Sequence, residues 1–236
     1  MARKICIQAG HKGILIGSTG APGERDWTTK FVPLLATKLI VRGYEVYECD
    51  AKATNNTKVI STDWDLFLAV HYDADIYNDR GGFIDTPDQS VDYVSFESSR
   101  IAAAMRSVYF SKTGIPEKFS RSNANTKFYY MWRYLSANTP CVLIECGVGN
   151  RKPEDHTTLF SKTDLVAAAI VEGINVAFGV QNAPGGSLEA LQDEVENLQK
   201  LLSDANLEIG AMRKVTLIRD KKLRELADSL DKIIAG

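Results

Sequence analysis

Along the first 180 residues, short apolar runs alternate with segments in which apolar residues recur at the spacing of an α-helix. The runs that predict buried strands are residues 3–8, 44–49, 66–70 and 141–145, with a short edge strand over residues 81–84. The segments with helical spacing, which predict helices, are residues 24–42, 94–109 and 162–178. Strands that alternate with helices predict an α/β domain, in which helices cover both faces of a sheet.

Three parts of this region are less regular. Pro33 lies inside the first helical repeat, where it is expected to kink or divide the helix. The aromatic residues 128–134 are expected to be extended. Residues 51–64 are short and polar, and no regular element is predicted there.

The pattern changes after residue 180. Residues 181–187 are rich in Pro, Gly and Ser, which predicts a linker between a domain of residues 1–180 and a separate region of residues 188–236. From Leu188 onward the apolar residues repeat every 3.5 positions, and twelve of the fourteen a and d positions are apolar. This pattern predicts a coiled coil.

Charge is divided between the two halves of this coiled-coil region. Residues 188–208 carry six acids and one base, whereas residues 211–236 carry four acids and seven bases. Opposite charges favour an antiparallel arrangement. Either a helical hairpin bent at Gly210 or a homo-oligomer of chains paired head to tail satisfies it.

Composition narrows the class of protein. The 236 residues are 44% apolar with a net charge of −2, so a sizeable core is expected and nucleic acid is not an expected partner. No signal peptide and no apolar segment of ~18 residues is found. We therefore expect synthesis in the cytoplasm without stable membrane association.

The four cysteines lie in apolar runs and are expected to be free core residues.

Three ionisable residues suggest a metal site. His11 and His71 each follow a predicted strand, and Glu24 opens the first helix. The carboxyl ends of parallel strands meet at one edge of a sheet, so these side chains are expected to converge. Two imidazoles and one carboxylate with an open fourth position form the typical ligand set of a catalytic Zn²⁺ ion. The third histidine, His156, lies in a polar stretch and is interpreted as a surface residue.

Glu145 ends another buried strand, where an unpaired charge would be costly. A carboxylate that faces the ion can take a proton from water and later deliver it to a leaving amine, so Glu145 is the candidate catalytic acid and base. Strand alternation directs Cys146 away from Glu145, which argues against a thiol nucleophile.

Four motifs carry a family resemblance. They occupy residues 7–13, 20–24, 67–74 and 142–150, and they occur in this order. Together they resemble the zinc-dependent N-acetylmuramoyl-L-alanine amidases of the amidase_3 type, which bacteria use for wall remodelling and phages use as endolysins. The resemblance covers about residues 1–180. It implies an α/β fold with one mixed, mostly parallel sheet of about six strands and helices on both faces.

The resemblance also implies a site and a reaction. His11, Glu24 and His71 would bind zinc, and Glu145 would be the catalytic acid and base. The expected substrate is peptidoglycan, cleaved at the amide between N-acetylmuramic acid and L-alanine, and the strand at residues 81–84 would line the groove. With no signal peptide, the expected role is a phage endolysin that acts on the cell wall after release. Residues 188–236 would then serve oligomerisation or wall targeting.

The sequence departs from the family pattern at two places. Asp73 stands where the family usually has Asn, and the helix with an Arg-x-x-Asp motif before the second histidine is missing. Residues that bind the substrate are therefore not assigned. Three other functions remain open: a host autolysin of the same family, a zinc peptidase that cuts the stem peptide, and a catalytically inactive wall-binding scaffold.

Overall fold

A computed structural model describes residues 2–13, 20–74, 79–88, 96–118, 129–150 and 152–180. The predicted linker over residues 181–187 and the predicted coiled coil over residues 188–236 lie outside these ranges. Both remain predictions.

One mixed sheet forms the centre of the described domain. Its strands are β1 (Lys4–Ala9), β2 (Glu45–Asp50), β3 (Leu66–Asp73), β4 (Phe83–Asp85) and β5 (Cys141–Val148). The strand order is β2-β1-β3-β5-β4, with every neighbouring pair parallel except β4 and β5. All five strands follow sequence predictions. The expected number of about six was wrong for the described residues, which contain five strands.

The α-helices are α1 (Glu24–Val41), α2 (Thr57–Ser61), α3 (Glu97–Thr113), α4 (Pro153–Ser161) and α5 (Thr163–Phe178). Three of them were predicted, whereas the short helices α2 and α4 were not. A kink or a division was expected at Pro33, and the helix is not divided there, because α1 continues through it. Pro33 and Thr29, whose carbonyl the proline leaves without a helical donor, are both exposed, so water can satisfy that carbonyl.

The aromatic segment before β5 also differs from its prediction. Tyr130–Tyr134 forms a 3-10 helix, where an extended segment was expected. The turn buries Met131 and Trp132 against the sheet, and this packing outweighs the strand preference of aromatic residues.

The two faces of the sheet are covered unequally. One face, called here the helix-rich face, carries Ile7, Val70 and Ile144, and packs against apolar side chains of α1, α3 and α5. The opposite face, called here the site face, carries Phe67 and Leu143, and packs against α2 and the 3-10 helix. Helical segments therefore lie on both faces, as predicted, but the site face carries the shorter ones.

Several smaller expectations are also resolved. All four cysteines are free and buried, as predicted. His156 is exposed and stacks on Phe160, with ring centroids 4.3 Å apart, so its interpretation as a surface residue is confirmed. Within the described ranges, no helix is long and apolar enough to cross a membrane.

Asp155, in the first turn of α4, joins three parts of the domain. Its fully buried carboxylate accepts hydrogen bonds from Arg80 Nε at 2.9 Å, from the Gly81 amide at 2.6 Å and from the Val148 amide at 3.2 Å. It thereby ties the segment before β4 to the end of β5. Charge-assisted hydrogen bonds of this kind are among the stronger ones in proteins.

We predict that Asp155→Ala lowers the free energy of unfolding by about 3 kcal/mol, because it removes the partner of a guanidinium group and of two amides. Urea unfolding followed by circular dichroism measures this change. Asp164→Ala is the matched control, since the Asp164 side chain is 78% exposed and pairs with Lys38 at the surface. The control should change stability by less than ~0.5 kcal/mol. Equal effects of the two substitutions would contradict the role of Asp155.

Candidate metal centre

Three predicted ligands converge at the carboxyl end of the sheet. His11 follows β1, Glu24 opens α1 and His71 lies on β3. One potential ligand atom from each residue lies within 4.8 Å of the others. The prediction that these three side chains come together is therefore confirmed.

The Glu24 carboxylate lies between the two imidazoles. Its Oε1 atom is 2.8 Å from His71 Nδ1 and 3.5 Å from His11 Nε2. Its Oε2 atom accepts a hydrogen bond from the Ala21 amide at 2.8 Å, and the Glu24 amide in turn donates to the Ala21 carbonyl at 3.0 Å. This local turn fixes which carboxylate oxygen faces the histidines.

Two glycines allow the ligands to approach so closely. A Cβ atom on Gly10 would lie 2.5 Å from His71 Nδ1, and a Cβ atom on Gly20 would lie 2.0 Å from Glu24 Oε2. His11, which follows Gly10, has a φ of 59° in the left-handed region that non-glycine residues rarely adopt. The Gly10 carbonyl accepts a hydrogen bond from Thr28 Oγ1 at 2.6 Å, which anchors this turn to α1.

The donor set fits a divalent transition-metal ion. Two imidazole nitrogens and one carboxylate oxygen suit zinc, and three protein ligands leave a coordination position open. Glu24 and His71 are buried, and the His11 side chain is 19% exposed, so the cluster opens to solvent on the His11 side. No cysteine belongs to the cluster among the described residues.

Glu145 lies beside this cluster. In the parallel pairing of β3 and β5, Glu145 is the direct register partner of His71, so both side chains are on the site face. Glu145 is also the only position of β5 that is half-buried, whereas the other seven are buried. On its other side it pairs with Phe83 of the edge strand β4. The geometry thus places a half-buried glutamate, whose Oε2 atom is buried, next to the histidine.

Cys146 lies on the opposite side of the strand. It is fully buried in the core of the helix-rich face, and burial raises the pKa of its thiol well above the ordinary value. A thiol that stays protonated and inaccessible is a poor nucleophile, which agrees with the sequence argument.

Two residues near the cluster were not assigned from the sequence. The Tyr129 hydroxyl lies 3.3 Å from His71 Nε2 and donates to Gln8 Oε1 at 2.7 Å. Burial raises the pKa of Tyr129 well above its usual value, with smaller contributions from Tyr130 and Glu145, so the hydroxyl keeps its proton. The signal in the sequence was Gln8 itself, since a polar side chain inside a buried strand must find partners.

The structure also gives surroundings to Asp73, where the family pattern has Asn. The bulge between His71 and Asp73 brings Asp73 opposite Val148. The buried Lys118 ammonium lies 3.9 Å from Asp73 Oδ2 and 3.0 Å from Asp79 Oδ1. A carboxylate at this position therefore has a nearby opposite charge.

Comparison with known families and structures adds to this geometry. Residues 5–176 match the family model Amidase_3, N-acetylmuramoyl-L-alanine amidase. The comparison with curated proteins gave no match.

Several solved structures share the fold. An N-acetylmuramoyl-L-alanine amidase from Clostridium difficile 630 is 20% identical, with a TM-score of 0.58 over 77% of this chain and 99% of that chain. The amidase Ami1 from Mycobacterium smegmatis is 18% identical, with a TM-score of 0.59 over 76% and 98%. The catalytic domain of the CD27L endolysin, which targets Clostridium difficile, is 21% identical, with a TM-score of 0.52 over 73% and 96%. At these identities the likeness concerns the fold.

We predict that Gly10→Ala weakens binding of a divalent ion by at least ~10-fold, because the added methyl group overlaps the His71 ring and displaces a ligand. Titration of the metal-free protein with Zn²⁺ in the presence of a competing chelator measures the affinity. Gly43→Ala is the control, because nothing lies within 4 Å of a Cβ atom added at Gly43. The φ of Gly43 is 85°, so this control carries backbone strain that Gly10→Ala does not, and its affinity should still be unchanged. Unchanged affinity in Gly10→Ala would contradict the proposed packing of the site.

Proposed function

Because the chain belongs to the Amidase_3 family of N-acetylmuramoyl-L-alanine amidases, we propose that it hydrolyses the amide between N-acetylmuramic acid and L-alanine in peptidoglycan. The observation that carries this proposal is the convergence of His11, Glu24 and His71, with Glu145 in register beside His71. The cofactor proposed is one Zn²⁺ ion held by the first three residues.

When bound, zinc supplies Lewis-acid chemistry, which polarises an amide carbonyl and makes water more acidic. The chain's own residues prepare this position. Glu24 is oriented by the Ala21 amide, and His71 is packed against Gly10, so the ligands are arranged before any ion binds. A preorganised site avoids the free-energy cost of rearranging charged groups during the reaction.

Glu145 is proposed as the general base and then the general acid. Its carboxylate takes a proton from the attacking water as the new C–O bond forms at the amide carbon. The protonated Glu145 then gives this proton to the amide nitrogen as the C–N bond breaks, so L-alanine leaves as a free amine. The register of Glu145 with His71 supports this role, since the acid and base must lie beside the position that the ion and its water would occupy.

We predict that Glu145→Ala retains zinc but loses at least ~10²-fold in the rate of wall hydrolysis, the lower end of a general-base contribution. The assay is release of new amino-terminal L-alanine from purified peptidoglycan, with metal content measured on the same samples. Glu48→Ala is the control, because Glu48 is an exposed glutamate on β2. Turnover equal to that of the native chain would exclude Glu145 as the acid and base.

The same assay separates the other candidate functions. New amino termini other than L-alanine would point to a zinc peptidase acting on the stem peptide. Wall binding without any new amino terminus would point to a catalytically inactive scaffold. The intact set of three ligands and Glu145 supports a hydrolase over the inactive scaffold. A zinc peptidase would need the same set, and the family match supports the amidase over it.

We further propose that the biological role is that of a phage endolysin. Support comes from the similar fold of an endolysin catalytic domain and from the separate coiled-coil region predicted for residues 188–236. In this role the protein accumulates in the host cytoplasm and acts on the wall after release. A host autolysin of the same family is the alternative.

We predict that cells expressing the full chain keep their turbidity until a membrane-permeabilising protein is expressed with it, and then lyse within minutes. The Glu145→Ala chain, expressed in the same way, is the control and should not cause lysis. Lysis by the full chain alone would contradict release through a partner protein and would favour an exported autolysin.

A further inference from the structure

A chain of hydrogen bonds leads from the backbone after β2 to His71. Gln8 Nε2 donates to the Ala51 carbonyl at 3.0 Å and to the Asp50 carbonyl at 3.4 Å. Gln8 Oε1 accepts from the Tyr129 hydroxyl at 2.7 Å, and this hydroxyl lies 3.3 Å from His71 Nε2. Gln8 is fully buried. The chain therefore runs through the interior and ends on a residue of the metal centre.

The direction of each hydrogen bond follows from the groups involved. Backbone carbonyls only accept, so the Gln8 amide must turn its NH₂ group toward Asp50 and Ala51 and its oxygen toward Tyr129. A tyrosine hydroxyl has a single proton, which it donates to the Gln8 oxygen. The Tyr129 oxygen can then only accept from His71, so the His71 Nε2 atom must carry a proton.

We propose that Tyr129 and Gln8 are positioning residues that fix the tautomer and orientation of His71 and thereby strengthen metal binding. With the proton held on Nε2, Nδ1 is the nitrogen left to bind an ion. It faces Glu24 Oε1 at 2.8 Å, a distance at which either a proton or an ion must lie between the two atoms. Residues behind a metal-binding histidine commonly act in this way. The inference rests on the proposed metal site and adds to it a requirement for two residues outside the ligand set.

The first test compares zinc affinities by chelator competition. Tyr129→Phe keeps the ring and removes the acceptor for Nε2–H, so we expect zinc to bind about 10-fold more weakly. Tyr44→Phe is the matched control, because it removes a buried tyrosine hydroxyl that donates to Asn175 at 2.8 Å in the core of the helix-rich face. Its affinity should equal that of the native chain. Equal affinity of Tyr129→Phe and the native chain would overturn the proposal.

The second test needs no variant of the hydrogen-bond chain. The protein has three histidines, so the ring nitrogens of the zinc-loaded, ¹⁵N-labelled native chain can be resolved by NMR. We expect His71 to bind through Nδ1 and to keep a slowly exchanging proton on Nε2. Coordination through Nε2 would overturn the proposal even if zinc binds tightly. Failure of the native chain to bind zinc would overturn the metal site itself, and the role of Tyr129 with it.

Discussion

The Glu24 carboxylate is the group on which the arrangement of the site depends. It lies at the start of α1, whose apolar side chains pack into the core of the helix-rich face, so burial of this helix sets the position of the carboxylate. The local turn with Ala21 sets its orientation. Two imidazoles from different parts of the chain then meet one oxygen atom. Without an ion, the same carboxylate offsets the cost of placing two polar rings in a largely buried pocket.

The sheet contributes the rest of the site through strand alternation. Phe67 and Leu143 are buried on the site face, and the same alternation brings His71 and Glu145 to that face where the strands reach the edge. The long helices cover the other face, so the site face has shorter segments above it. Asp155 adds to this arrangement, because it holds the segment before β4 against the end of β5, next to Glu145.

Much of this could be predicted from the sequence, because its signals are local. Apolar runs that end at His71 and Glu145 identify both the strands and the residues at their ends. The 3-10 helix and the role of Tyr129 could not be predicted, because they depend on how an aromatic segment packs against a distant strand. The short helix α2 was not predicted, because Val59 is its one buried residue and a single apolar position sets no helical pattern. The continuity of α1 through Pro33 depends on water reaching the Thr29 carbonyl. The pattern of apolar residues contains no information about this.

The pairing of His71 with Glu145 has a consequence for how the chain can change over evolution. Side chains on a strand alternate between faces, so a slip of β5 by one residue would send the carboxylate into the apolar core and bring Cys146 to the histidine. Insertions and deletions within these two strands should therefore be rejected even where stability survives them. We expect length variation in the connections between the strands instead, because a change there leaves the register of His71 and Glu145 unaltered.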